Sequence, residues 1–171
     1  MMKQFPGNGT IGAAAVVALA AGLAAPASAQ GLLTTHRVTA PLALEAVGAA
    51  VAQCASQGYF VSAVVVDASG TRQAVLRGDN AGVHTLDSAM GKAYTAASFK
   101  TESGAIAARL QSNPASAGLA YVPGVLLVQG GVPIKAGQEV VGAIGVAGAP
   151  GGDKDEACAQ AGLDKISDRL K

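Results

Sequence analysis

The sequence predicts one α+β domain: a five-stranded antiparallel sheet with flanking helices. Three observations carry this. The length, 171 residues, suits one domain with a real core. β-Branched runs follow one another across short glycine-containing turns, which favours antiparallel neighbours over long crossovers. Between and around these runs lie segments with apolar residues three and four apart, the spacing of one helix face. The expected order is helix, two strands, two helices, three strands, helix. Half the residues are apolar but only 4% are aromatic and none is Trp, so the core must be built from Ala, Val, Leu and Ile, with elements in close approach.

Residues 30–39 are polar and unpatterned and read as an exposed arm. Thr39 before Pro41 starts a helix whose stripe is Leu44, Val47, Val51 and Cys54 and which ends near Gly58. Residues 59–66 are β-branched and aromatic and read as a strand. Asp67-Ala68-Ser69-Gly70 is a turn, and residues 72–77 return as a second strand. After a loop at 78–82, residues 85–99 form a second helix with Leu86, Ala89, Met90, Ala93 and Ala97 on one face. A shorter helix at 104–111 and a connection containing Pro114 follow. Val125–Val128 and Val132–Lys135 flank Gly130-Gly131 and read as a hairpin, with Glu139–Val146 as the last strand. A Gly/Pro loop then leads to Asp153, placed to cap a final helix through Cys158, Leu163, Ile166 and Leu170.

The N-terminus reads as a secretory signal peptide over residues 1–29. Lys3 supplies the positive end, residues 11–25 are almost unbrokenly apolar, and Ala27-Ser28-Ala29 is an A-x-A cleavage site that leaves Gln30 first. That run is about 15 residues, short of the ~20 that span a bilayer, and no later stretch is long enough. The expected mature chain, one domain over 30–171, is periplasmic or secreted and has no membrane span. Removing Lys3 from 12 basic and 11 acidic residues leaves 11 of each, so nucleic acid is not an expected partner. An oxidising compartment permits a bridge between the two cysteines, Cys54 and Cys158; two buried free thiols are the other reading.

Reactive chemistry is sparse. The chain holds two histidines, His36 and His84, and no G-x-S-x-G elbow. Gly91-Lys92 lacks the Ser or Thr and the upstream glycine of a phosphate loop. Asp153, Asp155 and Glu156 suit a helix's first turn better than a calcium loop. Asp87 has Met90 and Gly91 at three and four residues on, so it has no carboxylate partner for a metal. Porphyrin iron asks for less, since one imidazole can hold it. His36 and His84 are the candidates, with Met90, Tyr59, Tyr94 and Tyr121 weaker.

An ordered set of short matches runs from 33 to 168: Leu33-Thr34-Thr35-His36, Val64-Val65-Val66-Asp67 with Gly70, Leu76-Arg77-Gly78-Asp79, Ser88-Ala89 with Lys92-Ala93, Thr95-Ala96 with Phe99, Val122-Pro123-Gly124, Gly130-Gly131, and Gly145 to Pro150 with Asp153. Together these resemble the haem-degrading/GlcG-like family. The resemblance implies a profilin-like or roadblock-like fold, homo-oligomers from dimer to octamer, and, among secreted members, haem binding and a sensor-kinase ectodomain as partner. It makes His36 the first candidate haem-iron ligand and His84 the second, with Met90, Lys92 and Tyr94 as further cofactor-binding candidates. The resulting expectation is an exported haem- or tetrapyrrole-binding protein, used in haem handling or extracytoplasmic redox sensing, and a binder rather than an equipped enzyme. The alternatives are a small-metabolite accessory protein of the glycolate-utilisation type and a non-catalytic signalling oligomer.

Overall fold

The computed structural model describes residues 1–3 and 31–170. The apolar run and the Ala27-Ser28-Ala29 site lie outside the described residues. The chain divides into two units, Met1–Leu33 and Thr34–Lys171, and every helix and strand described below lies in the second. Helix α1 (Ala40–Ser56) leads into β1 (Ser62–Asp67) and β2 (Arg72–Arg77). Helices α2 (His84–Phe99) and α3 (Ser103–Ser112) follow, then a 3-10 segment at Pro114–Tyr121. Strands β3 (Gly131–Ala136) and β4 (Glu139–Ala147) lead to α4 (Gly152–Asp164) and a 3-10 turn at Ser167–Arg169.

The sheet has four strands, not the expected five, in the order β2-β1-β4-β3, and every neighbouring pair is antiparallel. The missing strand is Val125–Val128. Its backbone bonds helix side chains at two residues instead of a ladder. The Leu126 N–H donates to the Thr95 hydroxyl at 2.8 Å, and the Ser103 hydroxyl donates to the Val128 carbonyl at 2.6 Å. Gly130-Gly131 is therefore the entry to β3, not a hairpin turn. The hairpin closes at Gly137-Gln138, between β3 and β4.

One face of the sheet carries α1 and α4, the other α2. Val61, Ala63, Val65, Ile134, Ile144 and Val146 meet Ala43, Ala46, Val47, Ala50, Cys54 and Cys158 on the first face. Val64, Val66, Ala143 and Ala147 meet Ala89, Ala93, Ala96 and Ala97 on the second. Successive side chains of β1 and β4 point to opposite faces, as the two-residue period of strands requires, and because helices cover both faces β1 is buried along its whole length. On the second face the residues are so small that α2 lies directly on the sheet. A Cβ at Gly145 would strike the Ala89 carbonyl and come within 2.6 Å of the Ala93 nitrogen.

Helix α1 buries Val47 and Cys54 as expected, but the rest of its buried stripe is alanine and not Leu44 and Val51. Leu44 is 63% exposed, while Ala43, Ala46, Val47, Ala50 and Cys54 point inward. The reason is α4. A Cβ at Gly162 would sit 2.6 Å from the Ala46 carbonyl, so the two helices meet on their smallest residues. The expected cap of α4 also changes. Gly151 holds the cap position and Asp153 is exposed, while Asp155 turns inward and accepts the Ala149 N–H at 2.9 Å.

The β1–β2 turn is tied by Asp67. Its Oδ1 accepts from the Ser69 N–H (2.9 Å), the Ser69 hydroxyl (2.6 Å) and the Thr71 N–H (3.0 Å), and Arg37 donates to Oδ2 at 3.2 Å. Burial pushes this carboxyl up, but the Ser69 and Thr71 hydrogen bonds and the Arg37 charge outweigh it and hold it below the usual range. Asp67→Ala should cost about 2–3 kcal/mol in a urea melt, because three turn donors lose a charged acceptor. A depressed carboxyl stabilises the fold above its unfolded pKa of about 3.9. That contribution disappears as pH falls through the lower folded value, so the variant should match wild type only in strong acid.

Candidate functional site

The sequence-predicted site residues do not gather in one place. His84 stands at the start of α2 beside Tyr59, Phe60 and Asn80, on a shallow depression of about 440 Å³. Met90 and Tyr94 line a second cleft of about 680 Å³ between α2, the β1–β2 turn and residues 123–126, with Arg72 and Asp87 at its edge. The Tyr94 ring is held between Gly70 and Gly124, where added Cβ atoms would stand 2.7 Å and 3.3 Å from it. Lys92 faces none of these clefts. Its ammonium is buried and donates to Asp155 Oδ2 at 2.7 Å and to the Val146 carbonyl at 3.0 Å. Burial pushes the Asp155 carboxyl up, against the pull of Lys92 and the Ala149 N–H. Tyr121 is exposed at the end of the 3-10 segment. Cys54 and Cys158 are joined as a disulfide between α1 and α4, with Cα atoms 5.6 Å apart.

His36 lies on the arm before α1, at the rim of a cleft of about 550 Å³ that is more enclosed than the one at His84. The walls come from three parts of the chain: Val38 and Leu42 from the arm and α1, Ala136 and Val141 from the β3–β4 hairpin, and Leu170 from the C-terminal end. They are brought together because α1 packs on α4 across the face of the sheet. Two guanidinium groups, Arg37 and Arg169, border the same space. Arg37 is anchored by Asp67, and Arg169 makes a two-pronged contact with Glu45 at 2.7 and 3.0 Å. Arg169 in turn holds the Glu45 carboxyl below its ordinary value. An apolar pocket with a few convergent polar groups, in the 300–1,000 Å³ range, is the usual form of a small-molecule site.

The imidazole is itself oriented. Nδ1 of His36 lies 2.7 Å from Oε2 of Glu139, at the start of β4. The hydrogen bond to His36 holds the Glu139 carboxyl below its usual value. A carboxylate only accepts, so Nδ1 carries the proton and Nε2 of the neutral ring keeps its lone pair. His36 alone of this set was legible in the sequence. Glu139 stands 103 residues away, and Arg37 and Arg169 carry no motif. Only the pairing of β3 with β4, and α4's return over α1, bring them to one rim. Among the described residues no group of three or more His, Cys, Asp or Glu could hold a bare metal ion, and no helix is long and apolar enough to cross a membrane.

Comparison with known proteins agrees with this architecture. The family model described as "Haem degrading protein HbpS-like" matches residues 38–164. A double mutant of HbpS from Streptomyces reticuli is 42% identical, with a TM-score of 0.74 over 82% of this chain and 96% of that one. ORFY of Klebsiella pneumoniae is 27% identical, with a TM-score of 0.76 over 80% and 95%. PduOC, solved as a haem complex, shares the fold at 23% identity and a TM-score of 0.65 over 71% and 89%. No curated protein matches the chain. The match to the family model spans most of the chain, and the chain belongs to the haem degrading protein HbpS-like family.

Proposed function

We propose that this chain is exported, cleaved after Ala29, and binds haem or a related tetrapyrrole in the cleft beneath His36. The observation that carries the reading is the His36 rim. An imidazole with a free Nε2 stands over apolar walls of about 550 Å³, with two guanidinium groups at the edge. These residues fit the group. One imidazole suffices for porphyrin iron, Val38, Leu42, Val141 and Leu170 suit an apolar macrocycle, and Arg37 and Arg169 suit its carboxylates. When bound, the iron would supply ligand exchange and one-electron chemistry; the protein supplies burial, orientation and charge. PduOC, of the same fold, was solved with haem, which supports the reading. Haem handling or extracytoplasmic redox sensing, in a homo-oligomer and with a sensor-kinase ectodomain as partner, is the setting that the family and the leader suggest.

A titration of the mature protein with ferric haem should produce a Soret band. His36→Ala should weaken binding about tenfold or more, which is 1.4 kcal/mol or more. His84→Ala should leave it unchanged, since His84 lies on a separate, shallower depression. Equal affinity in wild type and the double variant would remove both imidazoles as ligands. The Met90/Tyr94 cleft, with Arg72 at its edge, favours a second reading in which a small acid binds there. Thermal stabilisation by such an acid, with none by haem, would select it.

A further inference from the structure

We propose that Glu139 is a positioning residue that tunes His36, making the cleft select the ferric form of an iron porphyrin over the ferrous form and over the metal-free macrocycle. The inference rests on the reading of the cleft above and adds to it the electronic character of the ligand. Its ground is the 2.7 Å contact between Nδ1 of His36 and Oε2 of Glu139. A carboxylate accepting the Nδ1 proton fixes the tautomer that leaves Nε2 free, restrains the ring and raises the basicity of the donor nitrogen. A more strongly donating ligand stabilises the higher charge on iron.

The position of Glu139 suits the role. It begins β4, directly after the tight turn that joins β3 to β4, and its Cα pairs with that of Ala136 in the ladder. The carboxylate is thus delivered by the sheet rather than by a loose loop, whereas His36 comes from the arm before α1. The pair is half open to water as it stands, with side-chain exposures of 69% and 48%. A surface pair of this kind contributes little to stability. Its value lies in what happens when a flat apolar molecule covers the rim: removing water lowers the local dielectric and strengthens the same hydrogen bond. Arg37 and Arg169, the charged neighbours in the cleft wall, are already engaged by Asp67 and Glu45 and leave Glu139 to His36.

The test compares mature wild type with Glu139→Gln, Glu139→Ala and His36→Ala, using ferric haem and metal-free protoporphyrin as probes. The readouts are affinity for each probe, the midpoint potential of the bound haem, and the iron–histidine stretching frequency in the ferrous state. Glu139→Ala should lose about tenfold of the ferric-over-ferrous preference, an upward shift of about 59 mV for one electron, and Glu139→Gln should lose less. They should lower the stretching frequency and leave protoporphyrin affinity unchanged. Glu139→Gln, which can still accept from Nδ1, should fall between wild type and Glu139→Ala. Haem bound through His36 with one potential and one frequency across wild type and both Glu139 variants would overturn the role of Glu139 alone. Haem bound as tightly by His36→Ala, or not bound by wild type, would overturn the reading of the cleft and this inference with it.

Discussion

Replacing both Cys54 and Cys158 with alanine should lower the stability of the mature domain by about 4–5 kcal/mol, read as a large fall in the urea midpoint. The bridge spans 104 residues, and closing a loop of that length removes about this much conformational freedom from the unfolded chain. It also fastens α1, which supplies Leu42 to the His36 cleft, to α4, and the two together form one face of the core. Both cysteines are fully buried, so a reductant cannot attack them in the closed domain. Reduction of the native protein should therefore be slow and should accelerate in sub-denaturing urea, in step with opening. A double variant that loses less than about 1 kcal/mol would show that the unfolded chain is already compact and gains nothing from the crosslink.

The second large effect concerns Lys92. Lys92→Met should cost about 3–5 kcal/mol, because it leaves the Asp155 carboxylate buried without its ammonium and the Val146 carbonyl without a donor. The loss should depend on pH in a direction opposite to that at Asp67. Burial already pushes the Asp155 carboxyl up, and removing the ammonium pushes it further. A raised carboxyl destabilises the fold at pH above its folded value, and the penalty is relieved as pH falls toward the unfolded pKa of about 3.9. The variant should then recover part of the gap to wild type in mild acid. Lys92→Met combined with Asp155→Leu should be less damaging than Lys92→Met alone at neutral pH, since no unpaired charge remains. Additive losses in that cycle would mean that the two groups are not coupled.

How far the fold could be read from residues alone varied with the kind of signal. Arg72–Arg77 was bounded correctly because a turn with Asp67 and Gly70 precedes it and a glycine follows it. Val125–Val128 reads as a strand because four apolar residues, two of them β-branched, look the same whether a ladder or helix hydroxyls bond their backbone. The hydroxyls of Thr95 and Ser103 decide the matter, and they are 31 and 25 residues from their partners. On α1 the leucine at 44 outranked its alanine neighbours on hydrophobicity, yet distance to α4 admits only small residues there. The site shows the same division. His36 was visible as a rare side chain, whereas Glu139, Arg37 and Arg169 acquire meaning only through the pairing of strands and helices. Lys92 is a binding candidate only through the family resemblance, and the Asp155 carboxylate holds its ammonium inside the domain.

The seam between α2 and the sheet buries no apolar side chain larger than valine: Val64, Val66, Ala143 and Gly145 on one side, Ala89, Ala93 and Ala96 on the other. Heat-capacity change on unfolding tracks the apolar area newly wetted, and methyl groups wet far less of it than leucyl or phenylalanyl side chains do. Such a contact flattens the curve of stability against temperature. Cohesion here draws on close contact more than on hydrocarbon bulk, which makes it less sensitive to cooling.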